Sequence, residues 1–513
     1  MRRRAQVTSV RQDGIALLVF VIVLAFAAIA YALNSVSIDQ LRYEQALTTH
    51  TALARAKQAL IDYAVTYEDS HPGEYGFLPC PDHFDSVVPD EGGSDGDTCG
   101  GEKENMLGLF PWASLETGIL KSGTGQCLWY AVSGEYKNPP QTAMLNEDTN
   151  GAMRLYHADG VNIKQGAVAE DRVIAIIFDP SNVLPGQNRN FDNTSLCGKD
   201  YNPMEYLEGN GTINNSALSG GELAIDDFIK SGVVNDVATD ELATPFNDQM
   251  VTITRNELWD ALVSRRDFIS NSDSAMKRLT KALALCIAAY GNNSVNRKLP
   301  RPAAVDFSGN DYRDDANYKD TVAVSYLGRY PYNVKHSDDA LDALGVPNAP
   351  NNAEPVLFKK GYCDALVVAG GADINLDPTP KSPPTPPKPP EGYTTWKNWK
   401  DHFFYAVSSS YAPSSADDTP GANCDGTNCI VVGGNQYAAV VLFAGSRADA
   451  KDRNEPEAGD ADTKKILTNY LEVTNSVGNG TGDYTPTGAT GTPSRDIAYC
   501  ITDADSLTVE SCP

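Results

Sequence analysis

An α+β fold is the class this sequence predicts: one long amino-terminal helix, then two tandem helix-plus-antiparallel-sheet units, loop-rich and held by disulfides. Three observations carry that expectation. A charge-free run, Ile15 to Leu33, is followed by apolar residues at helical spacing. Six short landmarks then recur in the same order in the two halves of the chain. Finally, 513 residues with 42 Gly, 31 Pro and 10 Cys are too many for one ordinary core, which usually takes about 100 to 200 residues.

The first element is read from period and charge. Ile15 to Leu33 holds 19 residues, which as a helix rise about 28 Å and so match the thickness of a bilayer core. Arg2, Arg3, Arg4 and Arg11 precede the run, which predicts a cytoplasmic amino terminus and an outward-facing body. From Leu41 the apolar positions Leu47, Leu53, Ala56, Leu60, Ala64 and Tyr67 continue mostly at three- and four-residue steps. No Pro or Gly interrupts before His71-Pro72-Gly73, so a single transmembrane and stalk helix over 15–67 is expected, amphipathic in its outer half. A signal peptide cleaved at Ala30-Tyr31-Ala32 and a plain anchor are the other readings of the same run.

A basic leader over 1–14 ending at Gly14, then an apolar helix that turns amphipathic, resembles the type IV pilins and the type II secretion pseudopilins. The resemblance implies cleavage by a prepilin peptidase after Gly14 and methylation of Ile15. It also implies helix packing with other pilin subunits through positions such as Val19 and Val23. The family usually has Glu at the fifth mature position, where this chain has Val19, so the departure points to a minor or tip-type subunit. The implied place is the inner membrane, single-pass, with the body in the periplasm or on the surface as part of a pilus. The implied function is assembly into a pilus or secretion pseudopilus, with the body capping the fibre or binding. The alternative is a membrane-anchored periplasmic binding protein that joins no fibre.

The repeat sets the body's organisation. Leu78-Pro79-Cys80-Pro81 and Gly108-Leu109-Phe110-Pro111-Trp112 match Leu299-Pro300-Arg301-Pro302 and Gly328-Arg329-Tyr330-Pro331-Tyr332. Leu128 to Ser133 matches Phe403 to Ser408, and Val173 to Phe178 matches Ala438 to Phe443. Tyr206-Leu207-Glu208 matches Tyr470-Leu471-Glu472, and Val251 to Thr254 matches Tyr499 to Thr502. Two related units follow, 46–269 and 270–513. Thr254-Arg255-Asn256-Glu257 reads as a capping box that opens a helix through about Ile269. Met276, Leu279, Leu283, Ile287 and Tyr290 form the core stripe of the next helix. The second unit carries an insertion over about 335–400, where Pro378 to Pro390 predicts an extended arm without a core of its own.

Composition and motifs narrow the chemistry. With 41 Lys+Arg against 67 Asp+Glu the net charge is −26, which repels phosphate backbones and argues against nucleic acid as a partner. Ten cysteines without zinc spacing favour disulfides. Cys80, Cys99, Cys424, Cys429, Cys500 and Cys512 are the candidates, and the short loops 424–429 and 500–512 are sterically suited. No metalloprotease, nucleophile-elbow or phosphate-loop motif is present, so no enzyme is expected. Calcium is the candidate cofactor: Asp82, Asp85, Asp90, Glu91, Asp95 and Asp97 sit among Gly92, Gly93 and Gly96, offering oxygen ligands on a pliable loop. A solvated acidic loop is the plainer reading, and Asp306, Asn310, Asp311, Asp314 and Asp315 form a similar stretch in the second unit.

Overall fold

The structure is a computed structural model. It describes the chain apart from residues 1–12, 36–37, 84–90, 95–98, 102, 139–143, 190–194, 199, 210–211, 219–224, 231–245, 294–296, 308–310, 321–324, 335–356, 360–362, 364–365, 368–372, 377–390, 414–423, 425–426, 448–450, 455–461, 477–482 and 485–494.

The amino-terminal expectation is corrected. In place of one helix over 15–67 there are two, α1 (Asp13–Ser35) and α2 (Ile38–Ser70). Residues 36–37 between them lie outside the described residues. The described α1 side chains from Leu17 to Ile29 are exposed. Among the described residues no helix is long and apolar enough to cross a membrane, so the single-pass inner-membrane placement is not supported. Helix α2 instead buries Ala52, Leu53, Ala56, Leu60, Ala64 and Tyr67 in the protein core.

Two seven-stranded sheets follow. In the first, β1 (Met106–Leu109), β2 (Trp129–Val132), β5 (Val173–Asp179), β3 (Met153–Tyr156) and β4 (Ile163–Gln165) lie in that order. Strand β6 (Asp226–Ile229) adds to β3 and β7 (Gln249–Thr254) to β5. A small pair, β9 (Leu366–Val367) with β10 (Asp373–Ile374), follows β8 (Leu327–Arg329) in the chain. The second sheet runs β14 (Asp483–Tyr484), β12 (Ile430–Val432), β13 (Asn435–Phe443), β11 (Phe403–Val407), β8, with β15 (Ile497–Thr502) on β13 and β16 (Val509–Ser511) on β15. Neither sheet is purely antiparallel as expected, because β6 joins β3 and β14 joins β12 in parallel.

The two sheets repeat one another at the level of single hydrogen bonds. Gly108 faces Tyr130 as Gly328 faces Tyr405. Asp82 exchanges both backbone bonds with Leu109, as Ala303 does with Arg329. A Cβ on Gly108 would stand 2.6 Å from the Asp82 carbonyl oxygen, and one on Gly328 2.1 Å from that of Ala303. The landmark glycine is therefore set by a passing backbone. One sequence match needs correction: the register pairs Phe178 with Trp129 and Leu442 with Phe404, so Phe178 corresponds to Leu442 and not to Phe443. Matching the two Phe residues slips the strand by one, which reverses the face each side chain takes.

Between the units, α3 (Arg255–Val263) opens with the expected Thr254–Glu257 capping box but stops at Val263, and a π-turn takes Arg266–Ser270. Helix α4 (Ala275–Asn293) buries the whole predicted stripe from Met276 to Tyr290 and packs on β13 and β15. One apolar core runs from α2 through α4 to Leu507, so the inner faces of both sheets share it. The end of the insertion, beyond the proline run, also enters this core. Helix α5 (Glu391–Trp399) sets Tyr393, Trp396 and Trp399 at three-residue steps, and all three are buried. Trp399 meets Trp259 edge-on at 5.6 Å and Phe268 at 5.2 Å, closing the seam between the units. The prolines at 378–390 lie outside the described residues.

Candidate binding cleft and the ion cluster beneath it

Each unit pins the end of its central strand with an arginine. Arg189 donates to the carbonyls of Pro180 and Ser181 and lies 5.0 Å from the Tyr206 ring; Arg453 donates to those of Ala444 and Gly445 and lies 5.1 Å from Tyr470. Ser181 and Gly445 take the same left-handed backbone, φ 47° and 53°. The Tyr-Leu-Glu landmark is thus part of a folding device in which an aromatic ring covers a buried guanidinium. Behind it sit two buried acids. Asp248 accepts from the Glu208 amide and Asn215, and Asp496 accepts from the Glu472 amide and Asn475. Burial raises both carboxyls, Asp248 well above the usual range and Asp496 to about 6.

In the second unit the arginine does more. Arg453 Nη1 also reaches across the seam to Glu147 Oε1, at 3.1 Å. Glu147 and Asp148 belong to a turn built by Asn146, whose carbonyl takes the Thr149 amide and whose Oδ1 takes the Asp148 amide. Asn146 Nδ2 then donates to Asp401 Oδ1 and to the Asn398 carbonyl, tying this turn to α5. After α5 the turn Lys400–His402 leads directly into β11, which fixes Asp401 and His402 at the strand's entrance.

His402 is the hub, and it is fully buried. Its Nδ1 lies 2.9 Å from Asp401 Oδ1; its Nε2 lies 3.2 Å from Asp148 Oδ2 and 3.6 Å from Glu147 Oε1. Among the described residues neither Asp148 oxygen nor His402 Nε2 has a partner in hydrogen-bond alignment. Lys464 Nζ holds the other Asp401 oxygen at 2.6 Å, and Arg329 binds the carbonyls of Asp401 and Lys464. Burial opposes the charged ring of His402, yet Asp148 and Asp401 push it up to about 10. Burial likewise opposes ionising the two carboxyls, but His402 lowers Asp148, and Lys464 with His402 takes Asp401 well below the usual range. Without a bound ion, this is a protonated imidazole between carboxylates from both units.

Glu147 connects the cluster to a cleft of about 580 Å³ at the seam. Its lining includes Glu147, Glu170, Asn256, Trp259 and Asp260 from the first unit and Arg447 and Arg495 from the second. The lining thus combines carboxylates of the first unit with guanidinium groups of the second.

The sequence-predicted sites lie elsewhere. Asp82 accepts from the Gly92 amide at 2.8 Å, and Glu91 accepts from Ser195 and from the Leu196 amide. Asp85, Asp90, Asp95 and Asp97 lie outside the described residues, as does Asn310. Asp314 and Asp315 sit at the start of a short 3-10 turn, and Asp315 pairs with Lys400 and accepts from Tyr393. All ten cysteines are paired: Cys80–Cys99, Cys127–Cys197, Cys286–Cys363, Cys424–Cys429 and Cys500–Cys512. Gly14 and Ile15 fall in the first turn of α1, and Val19 and Val23 are exposed on it. Sequence reasoning missed Glu147, Asp148, Asp401 and His402. The available signal was a run of charged and polar residues, Lys400 to His402, set between aromatic Trp399 and the buried strand Phe403–Val407.

These elements define an α+β chain of two like units around one core, with a mixed-charge cleft at their seam. No family model, no curated protein and no solved structure matches the chain. The pilin resemblance is corrected accordingly. It rested on the leader and a generic helix pattern, and neither the expected continuous helix nor a family match supports it. Pilin subunits, prepilin peptidase and the inner membrane therefore fall as inferred partners, and with them both fibre assembly and the membrane-anchored alternative.

Proposed function

We propose that the chain is a non-enzymatic binding module whose seam cleft takes a small ligand carrying both a carboxylate and a cationic group. The observation that carries this is the charge of the cleft lining, which brings together Glu147, Glu170 and Asp260 of the first unit and Arg447 and Arg495 of the second. Its volume of about 580 Å³ suits an amino acid, a short peptide or an amino sugar, since ligand pockets run from about 300 to 1,000 Å³. Trp259 and Val263 supply the apolar part of the wall. Five disulfides fit work in an oxidising compartment. The acidic loop does not enter this reading, because Asp82 and Glu91 are already used as acceptors for loop amides.

Calorimetric titration of the full chain with amino acids, dipeptides and amino sugars tests it. At least one class should bind, and Arg447→Ala and Arg495→Ala should each weaken it about tenfold or more, as loss of a charge-assisted bond does. Absence of binding across the panel, or binding indifferent to both substitutions, rejects the cleft.

A further inference from the structure

We propose that Glu147, Asp148 and His402 hold one divalent transition-metal ion of the zinc class, which bridges the two units beneath the cleft. Their donor atoms all lie within 4.8 Å of one another. A tetrahedral ion with bonds of about 2.0 Å sets its ligand atoms about 3.3 Å apart. The separations from His402 Nε2, 3.2 Å to Asp148 and 3.6 Å to Glu147, lie on either side of that edge length.

The surroundings fit as well as the donors. A metal-binding histidine ordinarily donates its other ring N–H to a carboxylate, which fixes the ring and the tautomer. Asp401 stands 2.9 Å from His402 Nδ1 in that role and is itself held by Lys464 and Asn146. Arg453 steadies Glu147 in the same way. Asp148 is wholly buried, and neither of its oxygens has a hydrogen-bond partner among the described residues. A buried carboxylate needs a cation facing it; protonated His402 supplies one at 3.2 Å in the ion-free protein, and a bound metal would take its place. One imidazole with two carboxylates suits zinc or its first-row neighbours, whereas calcium asks for six to eight oxygens. The site goes beyond the cleft reading, and two of its three ligands, Asp148 and His402, are not in the cleft lining.

The test uses the full, disulfide-intact chain, stripped with chelator and reloaded with Zn²⁺ or Co²⁺. Elemental analysis should return about one equivalent, zinc should raise the melting midpoint, and cobalt should give the visible absorption of a tetrahedral N/O site. His402→Gln and the isosteric Asp148→Asn should each weaken binding by about 100-fold or more, beyond what loss of an outer partner costs. If His402→Gln fails to fold, Asp148→Asn carries the comparison. Less than about a tenth of an equivalent after loading, with no cobalt spectrum, overturns the proposal. Equal binding by the parent and Asp148→Asn also overturns it, because the ion then sits elsewhere.

Discussion

Gly328 and Gly108 show how narrowly a single position is specified. Each lets a neighbouring strand's carbonyl pass where a Cβ would collide, at 2.1 Å from Ala303 O and 2.6 Å from Asp82 O. Gly328→Ala and Gly108→Ala should each cost about 1–3 kcal/mol, the former more, because backbone has to move in both cases. Urea midpoints of the two variants check this, and parent-like values would mean the strands can separate freely. Asp496 makes a different kind of statement. Burial lifts its folded value to about 6 from an ordinary 3.8, so between those values the folded chain keeps a proton that the unfolded chain has released. Stability from this group therefore falls as pH rises from about 4 to about 6, and the penalty is complete above that. Asp496→Asn should gain on the parent in urea midpoint across the same window and hold a constant lead above it. A difference that does not change with pH counts against the assignment.

Among the elements, the landmarks of the repeat were legible because each records a local constraint. The glycine marks a close approach, the Tyr-Leu-Glu run marks a ring over an arginine, and the Met276 to Tyr290 stripe marks a buried helix face. Arg189 and Arg453 themselves were not legible, since only the fold brings each beside its tyrosine. The ion cluster was equally hidden: Glu147–Asp148 and Asp401–His402 stand some 250 residues apart in the chain and meet only when the units close. The amino-terminal misreading has the opposite cause, a period strong enough to suggest continuity across Asn34 to Ser37. The disulfides yield an element-level test. Cys286–Cys363 joins α4 to the insertion over 77 residues, while Cys424–Cys429 closes only 5. By loop-closure entropy, replacing the first pair with Ser should cost about 4.5 kcal/mol and the second about 2. Equilibrium unfolding of the two double variants gives the ranking, and the reverse order would refute it.

As a molecule, the chain is one body made of two like halves. The inner faces of both sheets feed a single core, Trp399 of one unit packs on Trp259 of the other, and Arg453 crosses to Glu147. Cooperative unfolding follows from that continuity, because neither half keeps its inner face dry alone. Scanning calorimetry of the full chain should show one transition, with Trp399→Ala lowering its midpoint by several degrees. Two resolved transitions would mean that the seam is weaker than its packing implies.

The seam also has a history within each molecule's synthesis. Trp259 leaves the ribosome 140 residues ahead of Trp399, its partner across the units. At about 5–20 residues per second that is an interval of roughly seven to thirty seconds. Through that time the first unit holds out an aromatic face and two carboxylates, Glu147 and Asp148, whose counter-charges have not yet been made. A nascent neighbour that has already produced its second half offers the same partners, so crowded translation of this message favours exchange of halves between chains.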